Sequence, residues 1–142
     1  MKFQGGVREA AKMLAGLSRS AREKILEIIS KKDPNMAMAL HKSMYTFEDL
    51  QYLTPLMLIE LLREIKIYDF GLALRISSNE LKDFILKNSP RGMRQEMEEV
   101  LTGPPQLASK VEEAQDRIMI VVRSKLDKGQ LVINKESSEK LV

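Results

Sequence analysis

The sequence predicts an all-α protein, built as an armadillo-like or superhelical stack of short helices in two small units joined by a hinge. Apolar residues recur every three or four positions in almost every segment, which is the period of an α-helix. Serine, threonine, aspartate and proline repeatedly precede these apolar runs, where they cap helix N-termini. Strand-type alternation is nearly absent. Many short helices joined by brief turns are typical of a helical stack.

Composition excludes several classes of function. The chain has 142 residues, of which 44% are hydrophobic and 30% charged, as in an ordinary soluble globular protein. The absence of cysteine excludes disulfides, thiolate nucleophiles and cysteine-based zinc sites, and it fits a cytosolic setting. No apolar run approaches the roughly 18–20 residues of a membrane span, and the N-terminus lacks the apolar core of a signal peptide. The net charge of +3 is dispersed, so nucleic acid is not an expected partner.

Residues 1–46 are predicted to form the first unit, with three helices. Gly5 and Gly6 precede the first helix and are expected to act as a flexible linker. The first helix itself is predicted over about residues 7–17, because apolar side chains there fall on one side.

The next two helices of this unit have recognisable starts. Residues 20–23, Ser-Ala-Arg-Glu, have the spacing of a capping box, in which the serine oxygen accepts a free N–H and the glutamate reaches back. The stripe that the second helix is expected to bury comprises Ile25, Leu26, Ile28 and Ile29. Asp33 followed by Pro34 predicts the third helix, with an N-cap acceptor before a proline at the first helical position.

Residues 47–142 are predicted to form the second unit, and cap signals mark its helices. These signals stand at Thr46, Thr54-Pro55, Asp69, Ser77-Ser78, Ser89-Pro90 and Ser109. The residues expected to face inward after Pro55 are Leu56, Ile59, Leu62 and Ile65. The longest helix is predicted over about 109–128, and Gly129 ends it with a positive φ. The remaining stretch, 130–142, is expected to be extended and then frayed.

The side-chain inventory argues against an enzyme. His41 is the only histidine and has no Cys, Asp or Glu at ligand spacing, so a structural or surface role is expected. The glycine pair near the N-terminus lacks the lysine and later glycine of a phosphate-binding loop. The acidic pairs at 98–99 and 112–113 lack surrounding pockets and are interpreted as solvated charges. We therefore predict no catalytic site, metal, cofactor or small-molecule substrate.

One helix, predicted over about 90–101, carries charges in an unusual order. Its apolar side comprises Met93, Met97, Val100 and Leu101, and its opposite side comprises Arg91, Arg94 and Glu98, with Glu99 at the edge. A basic first turn and an acidic last turn oppose the helix dipole, so local helix stability does not account for this order. Two interpretations stay open: a solvated face, or an electrostatic docking ridge for a partner.

Five runs of sequence together resemble the C-terminal half of the FliG family of flagellar motor switch proteins. GGVREAAKMLAGL and then ILEIISKKDPNMA are similar to the second armadillo-type unit of that family. MYTF followed by EDL is similar to its Met-Phe-x-Phe hinge, with tyrosine in place of the first phenylalanine. ALRISSNELKDFILKNSPRGMRQEMEEVLTGPP resembles the segment that holds the torque helix. KVEEAQDRIMIVVRSKLDKGQLVI is similar to the final long helix.

The resemblance implies roles for individual residues. Arg75, Arg91, Glu98 and Glu99 correspond to charges that face the cytoplasmic loop of the stator protein MotA. Met44, Tyr45, Thr46 and Phe47 correspond to the hinge, whose motion accompanies reversal of rotation. Gln106 stands where an arginine is often found, so one charge of the family's set is missing. Residues 1–46 would then be an armadillo-like unit of the FliG middle region, and residues 47–142 the torque-generating domain.

The resemblance also implies partners and a location. The partners would be MotA, the switch protein FliM and neighbouring subunits stacked in a ring through their armadillo units. The location would be the switch ring of the flagellar basal body, at the cytoplasmic face of the bacterial inner membrane. The alternative is a helical scaffold without torque, such as a paralogue or a relative of the cytoplasmic domain of magnesium transporters. A nucleic-acid-binding module ranks third.

Overall fold

The computed structural model describes residues 6–134, apart from the side chain of Lys42. Within this range the chain forms eight α-helices and two short 3₁₀ helices, without any strand. The all-α prediction is therefore confirmed, while the armadillo-like stacking stays a prediction. The chain divides into two compact units, Met1–Thr46 and Phe47–Val142.

The first unit contains three helices. They are α1 (Gly6–Ala15), α2 (Arg19–Lys32) and α3 (Pro34–Ser43). Helix α3 packs against both α1 and α2, so it lies between them in the core. The buried cluster of this unit comprises Ala11, Leu14, Ala15, Leu26, Leu40 and Met44.

The starts of α2 and α3 test the predicted caps. Asp33 caps α3 as predicted, since its carboxylate accepts a hydrogen bond from the Met36 N–H at 3.1 Å and Pro34 is the first helical residue. The capping box at residues 20–23 is wrong, because Ser18 is the N-cap of α2 and accepts from the Ala21 N–H at 3.3 Å. Ser18 has the extended backbone that an N-cap requires, whereas Ser20 lies one residue inside the helix.

Fewer residues of α2 are buried than its apolar stripe predicts. Leu26 is the only buried residue of this helix, and Ile29 packs partly against the cluster. Ile25 and Ile28 are exposed, Ile28 by 55%. The expected inward position of these two side chains is wrong, because α2 contacts mainly one neighbour, α3, which covers only a strip of its surface.

The second unit contains two 3₁₀ helices and five α-helices. The 3₁₀ helices are Phe47–Tyr52 and Leu74–Ile76, and the α-helices are α4 (Pro55–Leu62), α5 (Ile67–Ala73), α6 (Asn79–Asn88), α7 (Arg91–Leu101) and α8 (Ala108–Asp127). Helix α5 packs against both α7 and α8, and α6 packs against α4 and the first 3₁₀ helix. The fully buried large side chains of this unit are Leu50, Leu58, Leu61, Leu62, Phe70, Leu74, Leu81, Ile85, Met97, Ile118 and Val122. The short helix α5 is thus central to the unit.

Local sequence signals at several helix ends of this unit are confirmed. Thr54 caps α4 and Ser78 caps α6, each accepting from the backbone N–H three residues later. Gly129 has φ +71° at the end of α8, where the Gln130 N–H donates to the Lys125 carbonyl at 2.8 Å. This is the hydrogen bonding of a Schellman motif, which places a glycine in the left-handed region after the helix.

Other predicted caps of this unit are wrong. Asp69 and Ser109 lie within the first turns of α5 and α8, whose N-cap positions are taken by Lys66 and Leu107 without a side-chain hydrogen bond. The Ser89 hydroxyl donates to the Ile85 carbonyl at the end of α6, so it does not cap α7. Each of these polar residues stands near a helix end, but its backbone conformation or its competing partner prevents capping.

The predicted inward face of α4 is only partly correct. Leu62 is buried as predicted, but Leu56 is 67% exposed, and Leu58 and Leu61 take the core positions. Periodicity specifies a stripe but not its centre, which depends on the neighbouring α6.

After α8, Leu131 and Ile133 are buried while the residue between them is exposed, as in an extended segment. Residues 135–142, predicted as frayed, lie outside the described residues.

Candidate functional site

Three charged side chains of α7 lie on its solvent face, whereas Arg94, predicted on the same side, is half-buried. Met97 is fully buried and Val100 half-buried on the inner side, while Arg91, Glu98 and Glu99 are exposed. Across residues 6–134, none of these three side chains takes part in an ion pair. The exposed ridge thus has its charges unpaired within its own unit, and they are available to another surface. We define the charged ridge as these three residues.

Arg75 does not extend this ridge. It lies in the 3₁₀ helix Leu74–Ile76, and its guanidinium turns toward the C-terminal end of α7. Its Nε and Nη2 atoms donate to the Val100 carbonyl at 3.2 and 2.7 Å, and Nη1 donates to the Pro104 carbonyl at 2.8 Å. A positive group at this end also complements the helix dipole. The structure therefore places the Arg75 guanidinium at the C-terminal end of α7, with three of its N–H donors engaged by backbone.

Gly71 determines how closely α5 approaches α7. A Cβ atom at this position would lie 2.7 Å from Val100 Cβ and 2.9 Å from the Met97 carbonyl oxygen. Both distances are shorter than any ordinary carbon contact, so only glycine permits this packing. Sequence reasoning missed Gly71. The available signal was a glycine inside an apolar helix, which lowers helix stability and therefore calls for a packing reason.

Helix α8 holds the opposite side of α5. The Gln115 side chain donates to the Ala73 carbonyl at 2.9 Å. Arg117 forms two hydrogen bonds with the Asp69 carboxylate, at 3.0 and 3.2 Å. The hydrogen bond with Asp69 is the main cause that raises the pKa of Arg117 above its ordinary value. The segment under the charged helix is thus supported from both sides.

The predicted hinge residues have two different environments. Met44 is 2% exposed and belongs to the core of the first unit. Phe47 is 5% exposed in the second unit, where its ring lies 5.9 Å from that of Phe70. Tyr45 and Thr46 are half-buried and stand between these two anchored residues. Of the four predicted hinge residues, only this central pair lies outside the two cores.

Glu48 attaches the segment after the predicted hinge residues to the rest of the second unit. Its carboxylate accepts hydrogen bonds from the Ser78 N–H at 3.0 Å and from the Ser78 hydroxyl at 2.6 Å. The same hydroxyl oxygen caps α6 by accepting from the Leu81 N–H. The first 3₁₀ helix is thereby connected to the start of α6.

The remaining predicted residues do not gather into a chemical site. Gln106 and His41 are exposed. Gly6 is the first residue of α1, and Gly5 lies outside the described residues. Among residues 6–134, no three acidic, histidine or cysteine side chains are grouped so that they could hold a metal ion. In the same range, no helix has the length and hydropathy needed to cross a membrane.

Comparisons with known proteins point to one family. The model of the FliG C-terminal domain matches residues 27–133. Flagellar motor switch protein FliG of Thermotoga maritima is 32% identical over 142 residues, covering 97% of this chain and 42% of that protein. The Bacillus subtilis protein of the same name is 30% identical, covering 97% of this chain and 41% of that protein. The chain therefore spans about two fifths of the length of these relatives.

Solved structures agree with the sequence relatives. The crystal structure of FliG residues 86–343 from H. pylori has a TM-score of 0.69 and 30% identity, covering 92% of this chain and 62% of that one. Full-length FliG from Aquifex aeolicus has a TM-score of 0.56 and 29% identity, covering 91% of this chain and 40% of that one. With the family model matched over most of its length, this chain belongs to the FliG C-terminal domain family.

Proposed function

We propose that this chain is part of the rotor and switch of the bacterial flagellar motor, and that α7 transmits torque by electrostatic contact with the stator protein MotA. The relatives are named flagellar motor switch proteins, which are structural proteins and not enzymes. The observation that carries the proposal is the charged ridge of Arg91, Glu98 and Glu99, exposed and without an ion pair in the described part of the chain.

The physical properties of such a ridge suit a moving contact. An exposed ion pair contributes only about 0–1 kcal/mol, so each contact forms and breaks easily. Complementary charges also raise the rate of encounter between partners. Because α7 is anchored by Gly71 and Arg75, a force on the ridge would pass into the core of the second unit. The energy would come from ions that pass through the stator.

We also propose that Tyr45 and Thr46 are the moving part of the hinge used in reversal of rotation. Met44 and Phe47 are buried in separate cores, so rotation about the backbone between them would leave both cores intact. This proposal narrows the predicted hinge from four residues to two.

The proposed partners of the first unit are a neighbouring subunit and FliM. The exposed apolar side chains of this unit include Met13, Ile28, Met36 and Met38. We propose that they are covered by the armadillo unit of a neighbouring subunit in the switch ring, because stacking would remove apolar area from water. FliM would bind the same ring, at the cytoplasmic face of the inner membrane.

The second candidate function is a scaffold that does not transmit torque. Gln106 favours it, since this exposed residue supplies no charge at a position where the family often has arginine. Arg75 adds to this, because its guanidinium is engaged by backbone carbonyls. A ridge with fewer positive charges would contact a stator less strongly.

A charge exchange on the ridge tests the torque proposal. Arg91→Glu together with Glu98→Lys, introduced in the native host, keeps the net charge but inverts the order of charges. We expect normal filament numbers with slow or paralysed cells. The matched control exchanges the exposed pair Lys110→Glu and Glu113→Lys on α8, which should leave swimming unchanged. Normal swimming of the ridge variant would contradict the proposal, and loss of filaments would favour the scaffold.

A further inference from the structure

We propose that Arg75 is a positioning residue that holds the acidic end of the charged ridge, and that it does not act as a contact charge. The juxtaposition that carries this is the guanidinium of Arg75 across the carbonyls of Val100 and Pro104, directly after Glu98 and Glu99. The inference rests on the proposed function of the ridge and concerns how this chain presents it.

All three guanidinium nitrogens of Arg75 donate to backbone carbonyls, using three of its five N–H groups. Three nitrogen atoms of one planar group reach two carbonyl oxygens, on either side of the turn that ends α7. The last carbonyls of a helix have no intrahelical N–H donor, so a side-chain donor there stabilises the end of the helix. The Val100 carbonyl receives two of these bonds as well as one from the Gly103 N–H at 3.3 Å.

The position of the bonds determines what they hold. Glu98 and Glu99 precede Val100 in the last turn of α7, and the Glu98 carbonyl accepts from the Thr102 N–H at 3.0 Å. Fraying of this turn would release both carboxylates from a defined place. Gly71, four residues before Arg75, holds the same helix by close backbone contact at Met97. Two contacts from residues 71–75 therefore position the charged ridge. Gly71 sets the distance of α7 from α5, and Arg75 holds the C-terminal end of α7.

Positioning and charge contact require different properties of Arg75. A lysine keeps the positive charge, but it carries its donors on one nitrogen and cannot reproduce the planar fork. If the charge matters, Arg75→Lys retains function and Arg75→Gln does not. If positioning matters, both variants lose the fork and both fail.

The structural arm of the test measures amide hydrogen exchange by NMR on the whole chain. We expect Arg75→Lys and Arg75→Gln each to speed exchange of the Thr102 and Gly103 amides by about tenfold, with α8 unchanged. The matched controls are Arg91→Lys and Arg91→Gln, because Arg91 is an exposed arginine of α7 itself. These two variants should leave the exchange rates of the Thr102 and Gly103 amides unchanged. No change in the Arg75 variants, a change in Arg75→Gln alone, or faster exchange throughout the second unit would each overturn the inference.

The motility arm separates this inference from the proposed function. We expect Arg75→Lys to slow swimming as much as Arg75→Gln, with filaments present. Normal swimming of Arg75→Lys beside impaired Arg75→Gln would identify a contact charge and overturn the inference. If the exchange results hold but the ridge variant of Arg91 and Glu98 swims normally, then Arg75 still positions the helix end and the torque proposal alone fails.

Discussion

The two units of this chain bury their apolar residues to different extents. In the second unit, α5 lies between α7 and α8, and residues 70–74 are all buried. Among residues 6–46, three of the seven buried hydrophobic residues are alanines, while Met13, Ile28 and Met38 are more than half exposed. The second unit therefore builds the larger core from its own helices, whereas the first buries only a few large side chains, namely Leu14, Leu26, Leu40 and Met44.

This difference indicates how each unit obtains its stability. Burial of a large apolar side chain contributes about 1.5–3 kcal/mol, so a unit that buries alanines gains less. The second unit can therefore hold α7 firmly, as the torque proposal requires. The first unit would gain from a covering surface, as the proposed ring supplies. Four predictions test this contrast, in order of decreasing effect.

The largest effect is expected at the centre of the second unit. Phe70 is fully buried and packs against Phe47, so Phe70→Ala should lower the free energy of unfolding by about 3–5 kcal/mol. Urea unfolding followed by circular dichroism at 222 nm measures this. Tyr68→Ala, at a 52% exposed aromatic of the same helix, is the control and should change stability by about 0.5 kcal/mol. Equal losses would mean that α5 is not the centre of the core.

Two glycines near the ridge should respond with opposite signs. Gly71→Ala collides with Val100 and Met97 and should cost about 1–3 kcal/mol. Gly92→Ala lies in α7 with nothing within 4 Å of the added Cβ, and should stabilise by up to about 1 kcal/mol because alanine favours the helix. Thermal unfolding of the two variants compares them directly. Tolerance of alanine at 71 would refute the close approach of α5 and α7.

Removal of one N-cap in each unit should cause smaller losses of stability. Ser78→Ala removes the cap of α6 and the hydrogen bond from the Ser78 hydroxyl to Glu48, while the bond from the Ser78 N–H stays, so it should cost about 2 kcal/mol. Ser18→Ala removes a single exposed cap in the first unit and should cost about 1 kcal/mol. Urea midpoints provide the measurement. A larger loss at Ser18 would reverse the contrast.

The smallest effect is expected on the exposed apolar side chains of the first unit. Ile28→Lys together with Met38→Lys should change the stability of the isolated chain by no more than about 0.5 kcal/mol, because both side chains are already solvated. Sedimentation velocity on the same variant should show less self-association. A loss above about 1 kcal/mol, with no change in association, would show that this face is covered within the chain.

Sequence reasoning succeeded where the deciding contact is local. The caps at Asp33, Thr54 and Ser78 involve an N–H only three residues away, so composition and spacing identify them. It failed at the start of α2, because Ser18 and Ser20 are both suitable N-cap residues in the sequence. Only the extended backbone at Ser18 shows which of the two is the N-cap. It failed at Leu56 because the packing neighbours choose which part of an apolar stripe is inward.

The candidate site shows the same division. The exposed order of charges on α7 follows from helical periodicity, which turns Arg91 and Glu98 at least about 100° away from the buried Met97. The role of Arg75 was not visible, because its bonds reach residues 25 and 29 positions further along the chain. Gly71 was missed for the same reason, since its constraint comes from Val100.

The sequence by itself determined the all-α class, most helix boundaries to within a few residues, and the opposed faces of α7, because these depend on neighbours within one or two turns. Only the tertiary structure decided that Arg75 faces backbone carbonyls, that Gly71 sets the distance between two helices, and that Met44 and Phe47 belong to different cores. Such contacts join distant parts of the chain, and their geometry exists only once the helices have packed.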